Sequence, residues 1–181
     1  MAIFRVFFFL FFVVGSYLPS NANAQHIEQL FDEESTLDLS DSLYFLFETD
    51  YQLTISDVSR RRNDFLMHPH DNPNFGFRNN GMWLLTSVAN VSNEKHWVFS
   101  INFSQLDSVD FYLVQDGKVL KQSHQGKAQK EQRFRVPTFR VELPDSDPVD
   151  LYIRIESRSS SLIAPLRIQA EPLHSSYFQM D

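Results

Sequence analysis

Cysteine is missing from this chain altogether. That absence excludes disulfides, thiol catalysis and cysteine-ligated metals, so the fold must be held by its packed core. Cations are also in short supply, with 16 Lys and Arg against 23 Asp and Glu for a formal net charge of -7. An acidic surface is a poor partner for nucleic acid or anionic lipid, since both are bound by setting Lys and Arg against phosphates. No apolar run is long enough to span a membrane. The longest, unbroken from Val6 to Val14 and extending at most to Leu18, falls short of the roughly 18 to 20 residues a spanning helix needs. Neither a GxSxG nucleophile elbow nor an HExxH zinc motif occurs. The carboxylates lie scattered in turns, so the sequence offers no catalytic residue and no cofactor site.

What is present begins with a leader. Arg5 is a minimal positive n-region, the apolar run follows, and Ala22-Asn23-Ala24 is a small-x-small cleavage signal, so residues 1–24 are read as a signal peptide cut before Gln25. Many of the 18 Phe, among them Phe7, Phe8 and Phe9, belong to this segment. Residues 25–42, with FDEESTLDLSDS at their centre, are acidic and sustain no apolar period. They are expected to form a solvated leader.

From residue 43 the period becomes two. In Gln105 to Leu120, QLDSVDFYLVQDGKVL, the apolar Val109, Phe111 and Leu113 alternate with Ser108, Asp110 and Tyr112, and Asp116-Gly117 supplies a type I′ hairpin turn. Similar alternation predicts strands at Leu43–Phe47, Met82–Ala89, Trp97–Phe103, Phe139–Leu143, Val149–Glu156 and Leu166–Ala170. The phase shift between Val136 and Phe139 places a bend or bulge at Pro137. Ser123 to Gln132 reads as a polar loop, in which Gly126 alone makes a weak nest for any ligand.

Only Thr54 to Phe65 suits a helix, with Ser56 or Asp57 as cap. His68-Pro69-His70-Asp71 holds good ligand types for zinc or copper, but Pro69 favours an extended chain that splays them apart, and a polar loop is expected. Trp83 and Trp97 fit a core. Eight or nine short strands separated by turns indicate an all-β fold, a two-sheet antiparallel sandwich occupying residues 43–171, with 172–181 as a tail.

Candidate binding residues come from the outward phase of the late strands. Tyr112, Arg133, Arg135, Arg140, Tyr152 and Arg154 put guanidinium forks and aromatic rings where a sandwich presents a sheet face, and such groups bind carboxylates, hydroxyls and sugar rings. Covering the sheet and pairing with neighbouring acids is the alternative use of the same side chains.

The order of LDSVDFYLVQDGK, Gly126, RFRVPTFRVELP and YIRIESRSSSLIAPLRI resembles the periplasmic sensor domain of bacterial seven-transmembrane receptors, the 7TMR-DISM extracellular domain 2 family, over about Leu43 to Ile168. The resemblance implies a jelly roll similar to carbohydrate-binding modules. It also implies a carbohydrate-like or small carboxylated ligand, a seven-helix membrane region beyond Asp181, and a kinase or diguanylate cyclase output. A free periplasmic carbohydrate-binding or protein-interaction module is the alternative, and a homodimer stays open.

Overall fold

Residues 26–31, 36–49, 52–69, 72–127, 135–145 and 147–171 are described by the computed structural model. Along them run β1 (Ile27–Leu30), β2 (Thr36–Asp38), β3 (Tyr44–Phe47), α1 (Ile55–Arg60), β4 (Leu66–Met67), β5 (Met82–Asn90) and β6 (His96–Ile101). β7 (Ser108–Gln115), β8 (Lys118–Gln125), β9 (Thr138–Glu142), β10 (Val149–Glu156) and β11 (Leu166–Ala170) complete them. One sheet has the order β4-β3-β5-β10-β7-β8, and the other β2-β11-β6-β9. Every pairing is antiparallel except that of β1, which runs parallel to the second half of β5. The fold is the all-β sandwich that the alternating patterns predict.

Between the sheets lie Trp97, Phe99 and Ile101 of β6, Val109, Phe111 and Leu113 of β7, Leu151, Ile153 and Ile155 of β10, and Leu166, Ile168 and Ala170 of β11. The Phe111 ring packs 4.6 Å from Phe139 and 5.8 Å from Phe99, joining the two sheets. Each large side chain so enclosed contributes on the order of 1.5–3 kcal/mol. The β7–β8 turn has φ of 49° at Asp116 and 75° at Gly117, as a type I′ hairpin requires.

β5 is buried along its whole length. Its Met82, Leu84 and Val88 enter the core, while Trp83 and Leu85 point to the opposite face. A strand apolar on both sides needs a cover on both. Here the second cover is the segment carrying α1, described below.

Several expectations are corrected. Residues 25–42 are not simply a solvated leader: β1 and β2 lie within them, and Leu30 and Leu39 are fully buried. Elements of three or four residues contribute too few side chains to show a period, and their pairing is decided by what the sheets leave open. β3 covers only Met82–Leu85 of β5, and β1 takes the remainder. Ser123 to Gln125 belong to β8 rather than to a loop. This edge strand is largely exposed, so no apolar alternation announces it. Of the two forms expected at Pro137, a bend is present, at Arg135 and Val136 just ahead of β9, and the Pro137 carbonyl accepts the Ile101 N–H at 3.0 Å. The register irregularity lies at Leu113/Val114, where β7 meets β8.

At the corner where β8 approaches the other sheet, the Gln125 side chain bonds both backbone groups of Thr138. Its amide donates to the carbonyl at 2.5 Å, and its oxygen accepts the N–H at 2.8 Å. The signal peptide, Arg133, Phe134, His70, Asp71 and the 172–181 tail lie outside the described residues.

Candidate functional site

After β3 the chain crosses the outer face of the larger sheet as a strap, described at residues 48–49 and 52–65. α1 starts where it does because Thr54 and Asp57 cap each other. The Asp57 N–H donates to the Thr54 hydroxyl at 3.3 Å, and the Thr54 N–H donates to the Asp57 carboxylate at 2.9 Å. Thr54, rather than Ser56 or Asp57, is thus the N-cap, with Asp57 in the answering position of a capping box. Leu53, Val58 and Phe65 then bury themselves on Trp83, Leu85 and Tyr152. The Phe65 and Tyr152 rings meet edge to face at 5.9 Å.

Two ion pairs tie the strap to β10. Near its end, Arg62 donates from Nε and Nη2 to the Asp150 carboxylate at 3.1 and 2.8 Å, and from Nη2 to the Ser87 hydroxyl at 3.0 Å. At its start, Glu48 receives the Arg154 guanidinium in a fork, Nε to Oε1 and Nη2 to Oε2, both 2.8 Å. Glu48 Oε1 also accepts the Leu53 N–H and the Trp83 indole N–H, each at 3.0 Å. Burial alone would push the Glu48 carboxyl upward. The hydrogen bonds and charge of Arg154, with those from Leu53 and Trp83, outweigh it and hold the group below its usual 4.5. Burial likewise works against the Arg154 charge, but Glu48 and then Glu156 prevail and raise its pKa.

Gly81 is required by this pair for a reason of space. A Cβ there would stand 2.6 Å from both Arg154 Nη2 and Glu48 Oε2.

Beside the strap lies a row of three clefts. The first, about 250 Å³, is lined by Glu48, Thr49, Gln52, Asn79, Asn80, Gly81, Arg154, Glu156 and Arg158. The second, about 380 Å³, lies between Gln52–Ile55 and the strands, with Trp83, Asp110, Tyr112, Gln122 and Arg154 around it. A third of about 340 Å³ is bounded by Ile55, Ser56, Ser59, Arg60, Gly117 and Val119. Gln52 and Arg154 belong to both the first and the second, and Ile55 to both the second and the third. The second forms a groove between the strap and the β7–β8 hairpin, while no residue of that hairpin is in the lining of the first. Tyr112 is half-buried and stacks on Trp83 at 5.7 Å and 29°. Burial first, and Asp110 second, raise its hydroxyl above the ordinary tyrosine value.

Arg154 is not a free cation in this groove. Besides Glu48 it meets Glu156 at 3.3 Å and Asp110 at 3.8 Å. Arg158 also pairs with Glu156, and His124 approaches Asp110 at 2.6 Å. By contrast, the side-chain amides of Gln52, Asn79 and Gln122 and the Tyr112 hydroxyl have no hydrogen-bond partner among the described residues.

The candidate residues read from the sequence do not share one face. Tyr112, Tyr152 and Arg154 lie on the outer side of the larger sheet, whereas Arg140 lies on the smaller sheet, between Phe139 and Val141 of the core, and pairs with Glu171 at 2.6 Å. Arg135 is exposed before β9, and Arg133 is outside the described residues. Tyr152 is 1 % exposed and Arg154 6 %, because the strap covers what alternation alone presents as an open face. Sequence reasoning missed Glu48, Gln52 and Gln122. Trp83 and Leu85 in the outward phase of β5 were the available signal, since such residues imply a cover.

Of the His68-Pro69-His70-Asp71 stretch, His68 and Pro69 are among the described residues. His68 is buried, its ring 4.8 Å from Phe75 and 6.2 Å from Phe45. Among the described residues no group of three or more His, Asp or Glu is placed to hold a metal ion.

The family described as 7TMR-DISM extracellular 2 matches residues 40–170. No curated protein matches the chain.

Proposed function

The chain belongs to the 7TMR-DISM extracellular 2 family, and from that premise we propose that its sandwich binds a carbohydrate-like or small carboxylated ligand in the groove beside the strap. The family is a periplasmic sensor domain associated with a seven-transmembrane receptor region. The observation that supports this ligand reading is the groove itself, where unpartnered amides and the exposed side of Tyr112 stand over a buried aromatic floor. Aromatic faces and amide groups together suit a ligand with both hydroxyls and apolar ring faces.

Signalling would pass to a kinase or diguanylate cyclase output through the membrane region, and residues 1–24 would direct export. The test is NMR shift mapping of the purified protein against a panel of oligosaccharides and sugar acids. Shifts at Gln52, Tyr112 and Gln122 are expected. Shifts confined to the Arg140 face, or none with any compound, would overturn the assignment. N-terminal sequencing of exported protein is expected to begin at Gln25, and Met1 on mature material would refute the cleavage.

A further inference from the structure

We infer that the open edge of β8 is a docking site for an extended acidic segment of a partner protein, added to the larger sheet as a further strand. β8 ends the order of its sheet and pairs only with β7 among the described residues. It has eight residues, mostly exposed, whereas the other edge strands β4, β2 and β9 have two, three and five, and Gln125 already occupies Thr138 of β9. Alternate residues of such a strand turn their N–H and C=O groups outward, where an incoming strand can meet them.

Charge names the partner. The protein is acidic overall, yet β8 carries Lys118 and Lys121 and no carboxylate. Neither lysine side chain has a hydrogen-bond or ion-pair partner among the described residues. Of the acids around that edge, Asp110 is held by His124 and Asp145 by Lys95, while Asp116 in the turn and Glu142, across a cleft of about 420 Å³ from Lys121, pair with neither lysine.

The irregularity at Leu113/Val114 decides how those charges are presented. Lys118 stands opposite Gln115 and Lys121 opposite Leu113, so two lysines three residues apart face positions two apart on β7. Strict alternation would send them to opposite faces. Here both take the side of the sheet that Leu113 takes, with Val119 between them on the other side, opposite Val114. A strand laid along the open edge in the same manner meets the lysines with residues i and i+2 and Val119 with the residue between. Acid, apolar, acid is the complementary order. A second copy is disfavoured by the same charges, since two β8 edges would bring four lysines to one face of the joined sheet with no acid on either strand.

The experiment is an NMR titration of the purified protein with a seven-residue peptide alternating Glu and Val, its Lys and Val counterpart, and the Glu and Val peptide with its backbone nitrogens methylated. At saturation with the first, the outward amides of β8 are expected to exchange with solvent at least about tenfold more slowly. The lysine and methylated peptides are expected to bind at least about tenfold more weakly. Lys118→Glu combined with Lys121→Glu alters exposed side chains without partners, and is expected to lower affinity for the Glu and Val peptide by a similar factor at an unchanged melting temperature. Equal affinity for the methylated peptide would reduce the contact to charge alone and overturn the inference. So would unchanged affinity in the double variant, protection confined to residues away from β8, or no binding by any peptide. Protection of β8 that rises with protein concentration in the absence of peptide would overturn it too, and assign the edge to a second copy.

Discussion

Arg154 and Glu48 lie 106 residues apart in sequence, yet they form a two-pronged ion pair with both side chains at least nine-tenths buried. Such a pair stabilises little relative to apolar residues of the same shape, because each charge loses its hydration. Removing one partner alone is different, since the survivor stays buried and uncompensated. Glu48→Leu and Arg154→Leu are each expected to cost about 3–5 kcal/mol in denaturant unfolding. The double substitution is expected to cost less than the sum. Additive losses would show that the two groups do not act as a unit.

The same pair sets an acid limit. Glu48 titrates below its ordinary 4.5 in the folded protein, so its contribution is complete above that value and is lost as pH falls through the folded pKa. The melting temperature of the wild type is expected to fall below about pH 4.5, and Glu48→Gln to flatten that limb. An acid limb unchanged in Glu48→Gln would mean that other carboxylates govern it.

Tyr152 sets an alkaline one. Burial first, then the nearby Asp150 carboxylate, push its hydroxyl up from 10.0 to about 12. A raised pKa means that the folded state retains the proton after the unfolded state has lost it. Stability is therefore full below pH 10 and declines between 10 and about 12. Tyr152→Phe is expected to reduce that decline, as read by thermal unfolding across the range.

Gly81→Ala tests the space around the ion pair. The new methyl would stand 2.6 Å from charged atoms of both partners, and over-packing of this kind costs about 1–3 kcal/mol. If Gly81→Ala melts with the wild type, the strap has room to shift.

Core truncation is the control for the sheet assignments. Phe99→Ala and Ile153→Ala remove side chains that are fully enclosed between the sheets, and each is expected to cost about 2–5 kcal/mol in denaturant. A change below about 0.5 kcal/mol would contradict their placement.

The sequence made most of the inner layer legible because its longer strands repeat with period two against one common core. Phe99, Phe111, Ile153 and Ile168 all fall in the expected phase. The outer layer was hidden for the opposite reason. Tyr152 and Arg154 follow the outward phase faithfully, but phase says only which side of the sheet a residue takes and nothing of what lies over it. The covering strap comes from a helix of six residues, too short to show a moment. Its docking depends on Glu48 and Arg62, whose partners on β10 are 106 and 88 residues away. Arg140 shows the same limit between sheets, since identical alternation on β9 and β10 leads to opposite outer surfaces.

The Gln125 side chain, bonded to both the N–H and the carbonyl of Thr138, acts as a surrogate peptide unit at the edge of β9. Its consequence is colloidal. An unpaired strand edge is a template on which a second chain can begin to pair, and the first hydrogen bonds are the hardest to secure. With Thr138 already saturated from within its own molecule, an intruding strand at that corner has no pair of backbone groups from which to start. In a protein without disulfides to lock its sheets together, one amide thus closes one corner of a sheet edge to a second chain.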